Sequence, residues 1–338
     1  MPILFNEAIN KGFQGKPLEF LFKEAYKLRK KVFSNIIYFY SPGVAYFTLS
    51  FNDALSLIKF PAISITGRRC YLNCEHCKGK LLERMIPAET PRKLFKVCLK
   101  IKEANGEGCL ISGGSLKNGH VPLMDFIPTI KKAKKLGLKI VVHTGVIDES
   151  LAEALASIDV DGVMIDIIGS KETINKVYHL NRNIESFEHS LSLLESNNIP
   201  SIPHIVVGLH FGRLKGEWEA LKIVARHRIS ALVIVALMPL EGTSMENVTP
   251  PSPIEVAKVI LTARMLMPTT PLLLGCASSK GLYKARLDVL SIKAGVNGIA
   301  YPSEEAYRLA SKLKLKIKLR NECCSLLWKE FYKKGNNI

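Results

Sequence analysis

The chain has 338 residues, of which 47% are hydrophobic, which is enough to bury a real core in one large or two modest domains. No apolar run has the length of a membrane span, and the N-terminus lacks the basic start and apolar run of a secretory signal, so no membrane partner is expected. Lys and Arg exceed Asp and Glu by 17, an excess of positive charge that indicates either solubility alone or binding to an acidic partner. No zinc-finger, RNP-type or basic-helix pattern indicates that this partner is a nucleic acid.

From about residue 61, short apolar runs rich in β-formers alternate with amphipathic helical stretches. The eight candidate strands cover residues 61–66, 108–112, 139–144, 162–167, 201–209, 231–237, 271–275 and 297–302. Buried strands that alternate with helices are typical of parallel βαβ units, and eight units predict an α/β fold of the (β/α)₈ TIM-barrel type. Asp148 is expected to begin one helix, and Gly137 and Gly295 are expected to end two others.

The two ends of the chain differ from this pattern. Residues 1–60 are interpreted as an extension packed on the barrel, with an amphipathic helix in "LEFLFKEAYKLRKKVF" and an irregular aromatic stretch in "IIYFYSPGVAYF". Residues 61–312 are expected to form the barrel. Residues 313–338 are expected to form a C-terminal segment that caps the barrel mouth.

The stretch "SITGRRCYLNCEHCKGK" places Cys70, Cys74 and Cys77 within eight residues. Eight cysteines without an export signal predict a cytoplasmic protein with reduced thiols. Structural zinc usually takes two close pairs of ligands, and no second CxxC follows here. Three cysteines on one loop suit three irons of a [4Fe–4S] cube and leave the fourth iron open. The loop follows the first strand, at the end of the barrel where active sites lie.

A CxxxCxxC loop after the first strand of a barrel resembles the radical S-adenosylmethionine (SAM) superfamily. The resemblance implies that the open iron binds SAM, which is cleaved to methionine and a 5′-deoxyadenosyl radical that abstracts hydrogen. It also implies that His76, just before the third cysteine, lies near the adenine. "SGGS" resembles the family's Gly-Gly motif after the second strand, so Gly113, Gly114 and Ser115 are expected to approach SAM closely.

Within that superfamily, most of residues 61–302 resemble biotin synthase. Asp166 falls where that family has an asparagine on the SAM ribose, and Arg182 falls where it has an arginine near the SAM carboxylate. The alternatives are a capped strand end for Asp166 and a solvated charge for Arg182. Met238 follows the sixth strand and is expected either to line the adenine pocket or to belong to the core.

The sequence departs from biotin synthase where that enzyme binds its sulfur-donating cluster. "VVHTGV" and "SIPHIV", at the third and fifth strands, contain no cysteine. Cys276 lies close to the arginine position after the seventh strand, and Cys109 is interpreted as either a ligand or a core residue. These departures predict that the chain is not a biotin synthase.

Cys323 and Cys324 are adjacent in the polar stretch "RNECCSLLW". One interpretation is a buried thiol beside an exposed one. The other is that this segment joins Cys276 in holding a second, auxiliary iron–sulfur cluster, expected to be [4Fe–4S], with Ser325 or an open iron at the fourth corner. Cys98 lies in a predicted helix and is interpreted as core.

The phrases "GCASSKG" and "ECCSLL", together with the cysteine loop, resemble the archaeal biotin-synthase-like group that includes the subunits of the split lipoyl synthase. The resemblance implies sulfur insertion at C6 or C8 of an octanoyl chain, with the auxiliary cluster as the sulfur donor. The implied partners are an acidic lipoyl carrier of the H-protein type bearing octanoyl-lysine, a second radical SAM subunit, and an electron donor such as ferredoxin. A basic enzyme suits an acidic carrier.

Two other interpretations stay open. One is a different radical SAM reaction on a small molecule, in which the second cluster serves only electron transfer. The other is an iron–sulfur or zinc scaffold without catalysis.

Overall fold

The computed structural model describes residues 16–41 and 59–332. Its strands are β1 (Ile36–Tyr40), β2 (Ala62–Ser64), β3 (Ile86–Pro87), β4 (Gly108–Ser112), β5 (Lys139–His143), β6 (Gly162–Asp166), β7 (Ser201–Val207), β8 (Leu232–Ala236), β9 (Leu272–Leu274), β10 (Gly298–Ala300) and β11 (Lys316–Arg320). Its α-helices are α1 (Leu18–Phe33), α2 (Pro91–Glu103), α3 (Ile127–Lys135), α4 (Glu149–Ala156), α5 (Lys171–Tyr178), α6 (Glu185–Ser196), α7 (Glu217–Ala225), α8 (Pro253–Leu266), α9 (Leu282–Lys293) and α10 (Glu304–Lys312). Its 3₁₀ helices are Lys80–Arg84, Met124–Phe126 and Cys324–Glu330.

In the described part of the chain, all eleven strands form one sheet in the order β11-β1-β10-β9-β8-β7-β6-β5-β4-β2-β3. Every neighbouring pair is parallel. The predicted α/β fold is confirmed, and β2 and β4 to β10 correspond to the eight predicted strands. The sheet curls into a half-barrel in which β11 and β3 form the two edges.

The N-terminal part contributes a strand as well as a helix. β1 pairs with β10, where Tyr38 is opposite Gly298, and with β11, where Tyr38 is opposite Lys318. The prediction of an irregular stretch was therefore wrong for residues 36–40, and the rest of that stretch lies outside the described residues. β1 and β11 lie outside the predicted 61–312 barrel segment and still join its sheet.

The predicted amphipathic helix is confirmed as α1, which buries Leu21, Phe22 and Ala25. A buried arginine ties this helix to the sheet. The Arg29 guanidinium donates to the carbonyl oxygens of Val296, Ser34 and Ile36. Hydrogen bonds to main-chain oxygens satisfy the donors of a charge that would otherwise be costly to bury.

The predicted helix ends are also confirmed. The Asp148 carboxylate accepts a hydrogen bond from the Leu151 amide at 3.0 Å, at the start of α4. Gly137 and Gly295 follow α3 and α9 with φ of +81° and +92°. Glycine adopts these left-handed angles without the steric cost that a side chain would add.

Two layers of side chains fill the concave face of the sheet. The lower layer is apolar and includes Val141, Met164, Ile202, Val233 and Leu273. On three of these strands, the residue two positions further along the chain is polar: His143, Asp166 and His204. Because side chains two apart on a strand point to the same face, the apolar layer is followed by a polar layer towards the carboxyl ends of the strands.

The C-terminal segment, residues 321–332, lies inside the half-barrel. Leu326 and Leu327 pack against the lower layer, and the Ser325 hydroxyl donates to the Met164 sulfur at 2.8 Å. The Trp328 indole donates to the Asp161 carbonyl at 3.2 Å, directly before β6. The prediction that this segment caps the mouth was therefore wrong, because its apolar side chains fill the interior from the amino-terminal side.

Two ion pairs anchor this interior segment. Lys329 pairs with the Asp161 carboxylate, and Glu322 pairs with Lys139, the first residue of β5. Over the described ranges, 16–41 and 59–332, no helix has both the length and the apolar character needed to cross a membrane.

Candidate functional site

The loop that carries Cys70, Cys74 and Cys77 leaves the carboxyl end of β2. It coils tightly, because the amides of Cys77 and Lys78 both donate to the Cys74 carbonyl, at 3.2 and 2.8 Å. Cys74 is buried, whereas Cys70 and Cys77 are half-buried. A hydrogen bond from the Cys74 thiol lowers the pKa of Cys77 to about 4, although burial acts in the opposite direction. The Cys74 thiol itself has a raised pKa, because it donates to Cys77.

The "SGGS" motif after β4 lies directly against this loop. The Gly114 amide donates to the Thr66 hydroxyl at 2.7 Å, and the Tyr71 amide donates to the Ser115 carbonyl at 2.8 Å. A Cβ on Gly114 would lie 2.0 Å from the Arg69 carbonyl oxygen and 2.6 Å from the Cys70 Cα. Glycine is therefore required at 114 for the two backbone segments to touch.

The opposite side of the loop is held by the end of α5. The Glu75 amide donates to the Val177 carbonyl at 2.8 Å, and the Cys74 sulfur lies 3.9 Å from the Tyr178 carbonyl oxygen. The Glu75 carboxylate is 2.8 Å from the Lys78 amine and 2.7 Å from the His179 ring. The hydrogen bond from Lys78 lowers the pKa of Glu75 to about 2. We did not predict this clamp, because its members are separated by about a hundred residues of chain.

His76 lies between the loop and α5. Its ring centroid is 5.2 Å from that of Tyr178, and the rings are tilted by 33°. The Nδ1 atom of His76 is buried and, within the described residues, has no hydrogen-bond partner. Most buried polar atoms have a partner, so this one is available to a water, an ion or a bound group.

A polar chain continues from Tyr178 into the half-barrel. The Tyr178 hydroxyl donates to Oδ2 of Asp166 at 2.9 Å, and Oδ1 of Asp166 is 3.5 Å from Nε2 of His143. The His143 ring is 5.8 Å from that of His204. Burial raises the pKa of Asp166, but the hydrogen bond and charge of His143 outweigh it and hold that pKa well below its usual range.

The other predicted SAM-binding residues lie around the same opening. Arg182 is half-buried in the turn after α5, and its Nε donates to the Asn118 carbonyl at 2.9 Å. Met238 is half-buried, two residues after β8. Gly113, Gly114, Ser115 and Asp166 follow or end β4 and β6. The predicted residues therefore share the carboxyl-end face of the sheet.

A second group of thiols lies in the interior. Cys276 follows β9 by two residues; the charge of Cys323 raises its pKa, and its own charge raises the pKa of Cys324. The Cys276 side chain is solvent-accessible and yet surrounded by protein, as expected for a residue that lines a concave cavity, and burial raises its pKa. A hydrogen bond from the Cys324 thiol lowers the pKa of Cys323.

Two hydroxyls without a partner among the described residues lie near this second group. The Tyr40 hydroxyl and the Ser278 hydroxyl are buried without a hydrogen-bond partner among the described residues. Ser278 is two residues from Cys276, and Tyr40 lies within electrostatic range of Cys324. Burial, followed by the charges of the three thiols, raises the pKa of Tyr301 to about 12.

Cys98 and Cys109 form a separate pair. Both are fully buried, on α2 and β4, and the neighbouring Cys98 thiol together with burial raises the pKa of Cys109. They belong to the core between the sheet and its outer helices. Of the two interpretations of Cys109, the structure therefore favours a core residue, and it confirms the core interpretation of Cys98.

In the described part of the chain, no three His, Cys, Asp or Glu side chains converge on the position of a single metal ion. A cubane differs from a single ion in this respect, because each thiolate binds its own iron and the sulfurs stay apart. Each of the two groups supplies three thiols, whereas a [4Fe–4S] cluster usually has four cysteine ligands, so a cluster bound to either group would have one iron left for another ligand.

Comparison with known families agrees with this geometry. Residues 64–226 match the radical SAM superfamily, and residues 234–322 match the biotin and thiamin synthesis associated domain. The biotin synthase of Vesicomyosocius okutanii is 26% identical over 293 residues, covering 76% of this chain and 85% of that protein. The biotin synthase of Buchnera aphidicola is 24% identical over 279 residues, covering 77% of this chain and 79% of that protein.

Solved structures show the same fold. Methylornithine synthase superimposes with a TM-score of 0.62 at 16% identity, covering 90% of each chain. HydG, a maturase of the [FeFe]-hydrogenase, superimposes with a TM-score of 0.64 at 13% identity, covering 94% of this chain and 72% of that one. The matched family implies a [4Fe–4S] cluster and SAM as cofactors. With a radical SAM domain followed by a biotin and thiamin synthesis associated domain, the chain is a biotin-synthase-like enzyme of the radical SAM superfamily.

Proposed function

We propose that this enzyme inserts sulfur into a protein-bound octanoyl chain, as a lipoyl-synthase-type sulfurtransferase. One observation carries the proposal: Cys276 lies within electrostatic range of Cys323 and Cys324 inside the half-barrel. A second cluster on those thiols would lie between the C-terminal segment and Cys276, which is on the same carboxyl-end face as the predicted SAM-binding residues. The C-terminal segment would separate such a sulfur donor from bulk water on the amino-terminal side.

In this proposal Cys70, Cys74 and Cys77 hold the [4Fe–4S] cluster that binds SAM. Three thiols on one coiled loop leave one iron without a protein ligand. The unpartnered Nδ1 of His76 supplies a polar contact for SAM, and Gly113, Ser115, Asp166, Arg182 and Met238 line the same site. When bound, the cluster and SAM supply the chemistry of hydrogen abstraction, and the protein's part is to orient them and exclude water.

Cys276, Cys323 and Cys324 hold the auxiliary cluster, a [4Fe–4S] cluster in this proposal. The Tyr40 and Ser278 hydroxyls, which otherwise have no partner among the described residues, would donate hydrogen bonds to its sulfurs. Leu326 and Leu327 close the chamber from below. A substrate carbon would then meet sulfide before any competing group, so proximity is the main contribution of the protein.

The partners remain part of the proposal. An acidic lipoyl carrier of the H-protein type would present octanoyl-lysine, together with a second radical SAM subunit and a ferredoxin-type electron donor. Beside the cysteine loop, Arg68, Arg69 and Lys117 are exposed, as are the large apolar side chains of Tyr71 and Leu116, at 64% and 47%. An apolar centre with basic neighbours is complementary to an acidic protein.

Charge reversal tests this surface. The double variant Arg68→Glu/Arg69→Glu is expected to raise the KM for the carrier by about tenfold or more at low salt, with a smaller effect at high salt. The matched control is Lys132→Glu/Lys135→Glu at the end of α3, on the amino-terminal side of the sheet. If both pairs change KM equally, the carrier does not dock beside the cysteine loop.

The cluster assignment is tested by anaerobic reconstitution. Wild-type protein is expected to bind about seven to eight irons, and the Cys276→Ala/Cys323→Ala/Cys324→Ala variant about four fewer. That variant should still form 5′-deoxyadenosine from SAM under strong reductant but add no sulfur to the octanoyl carrier. If it kept the full iron content, the three cysteines would be structural, and a small-molecule radical enzyme would become the better hypothesis.

A further inference from the structure

His143 has no role in the proposed function so far, and it forms a histidine–carboxylate pair with Asp166, one of the residues that line the proposed SAM site. His143 is the last residue of β5 and Asp166 the last residue of β6. Nε2 of His143 is 3.5 Å from Oδ1 of Asp166, and the two side chains are 28% and 26% exposed. The pair is therefore accessible from the cavity.

The carboxylate is itself held in place. The Tyr178 hydroxyl donates to the other oxygen of Asp166 at 2.9 Å. With one oxygen fixed by Tyr178, the second directs the ring of His143. Nε2 then carries the proton that faces the carboxylate, and the Nδ1 lone pair is left to bind another group.

This arrangement is the one that metal-bound histidines adopt. A ligating imidazole usually directs its other ring N–H to a carboxylate, which fixes the tautomer and the ring orientation. The C-terminal segment lies near His143, because the Ser325 hydroxyl donates to Met164, the residue opposite His143 in the pairing of β5 with β6. Cys323, two residues before Ser325, lies within electrostatic range of the imidazole. His143 therefore lies on the side of the cavity where the proposed auxiliary cluster would be held.

The auxiliary cluster has three cysteines and needs a group for its fourth iron. Ser325, the residue considered for this position, directs its hydroxyl at the Met164 sulfur. His204 is the other nearby imidazole, with Nδ1 on the Ile202 carbonyl at 2.9 Å. Because a carbonyl oxygen only accepts, Nδ1 of His204 carries the proton of that hydrogen bond and is not free to bind a metal.

We propose that His143 is the fourth protein ligand of the auxiliary cluster, bound through Nδ1, and that Asp166 positions its ring. The neutral imidazole donates a lone pair to iron, so the step needs no oxidant or reductant. The inference rests on the proposed function, because it requires the cluster at Cys276, Cys323 and Cys324.

The test uses the full chain with Cys70, Cys74 and Cys77 replaced by alanine, so that any cluster formed is the auxiliary one. The protein is reconstituted anaerobically with ferrous iron and sulfide, reduced, and studied by pulsed electron paramagnetic resonance. We expect about four irons and strong coupling to one nitrogen. Labelling with ¹⁵N-histidine should change that coupling without any substitution near the site.

Substitutions then identify the histidine. His143→Cys should keep the iron, abolish the nitrogen coupling and lower the midpoint potential, because histidine in place of cysteine raises the potential of a cluster. His204→Ala should keep the coupling. Asp166→Asn should keep the cluster but change the coupling, since the ring loses its charged partner.

The outcomes distinguish a failure of the second cluster from a failure of the His143 assignment. A protein that binds no iron in this background overturns the second cluster and the histidine assignment together. A cluster without nitrogen coupling, or one whose coupling disappears in His204→Ala and persists in His143→Cys, overturns the assignment of His143 alone.

Discussion

Replacing Gly114 by alanine tests whether the "SGGS" segment holds the cysteine loop in position. The new Cβ would lie 2.0 Å from the Arg69 carbonyl oxygen and 2.6 Å from both Cα and Cβ of Cys70. Two of these three atoms are backbone, so neither segment can relieve the overlap by changing a rotamer. Overpacking of this kind costs about 3 kcal/mol, and the loop with Cys70 has to move.

The neighbouring glycine provides a matched control. A Cβ on Gly113 would meet only side-chain atoms, at 3.0 Å from Thr66 Cγ2 and 3.2 Å from Ile65 Cγ1. These side chains can shift by a few tenths of an ångström. Gly113→Ala is therefore expected to cost about 1 kcal/mol and to leave the loop in place.

Two measurements check this prediction on the same preparations. Denaturant unfolding of the iron-free proteins should give a lower midpoint for Gly114→Ala than for Gly113→Ala, with similar slopes. After reconstitution, Gly114→Ala should bind about four fewer irons than wild type, and Gly113→Ala should bind the full amount. If Gly114→Ala matched wild type in midpoint and iron content, the close contact would carry no structural role.

Two further predictions concern the anchor of the C-terminal segment. Asp161→Asn removes the charge that Lys134 and Lys329 contact and should destabilise the protein by about 3 kcal/mol near pH 7. Burial raises the pKa of Asp161, but the hydrogen bonds from its two lysine partners lower it by more, so the net pKa is below its usual value. The loss of unfolding free energy in Asp161→Asn should therefore be full above about pH 4 and should shrink as the pH falls through the pKa of the folded state. A loss that grew on acidification would contradict the assignment. Trp328→Ala should lower the free energy of unfolding, measured with denaturant, by about 2–3 kcal/mol, and Trp328→Phe by about 1 kcal/mol. Phenylalanine keeps the packing and loses only the hydrogen bond to the Asp161 carbonyl. Equal losses in the two variants would show that the packing of the ring contributes nothing.

The eight central strands could be predicted from sequence, because buried parallel strands are short apolar runs separated by helices. β11 was missed because residues 313–338 were expected only to cap the barrel mouth, and this range contains most of the stretch "KLKLKIKLR". Its alternation of lysine with apolar residues is also typical of an exposed edge strand, which lysine protects from pairing with other chains.

The cysteine loop and the "SGGS" motif could be recognised because each lies within a few neighbouring residues. The placement of the C-terminal segment could not, since it depends on contacts such as Ser325 with Met164, 161 residues apart in the chain. The strand that contains His143 was considered in the sequence only because it has no cysteine, and no role was predicted for the histidine itself. Its relation to Asp166 depends on the alignment of two adjacent strands, which local sequence does not specify.

The most direct test of sulfur insertion is mass spectrometry of an octanoylated acidic carrier protein after a single turnover. The auxiliary cluster is first reconstituted with heavy-isotope sulfide in otherwise wild-type protein, and the reaction is started with SAM and a strong reductant. We expect the carrier to gain sulfur that carries the heavy isotope, and the Cys276→Ala/Cys323→Ala/Cys324→Ala variant to give 5′-deoxyadenosine without any sulfur on the carrier. A carrier that gains no sulfur while wild-type enzyme cleaves SAM, or a triple variant that inserts sulfur as well as wild type does, would contradict the proposed function.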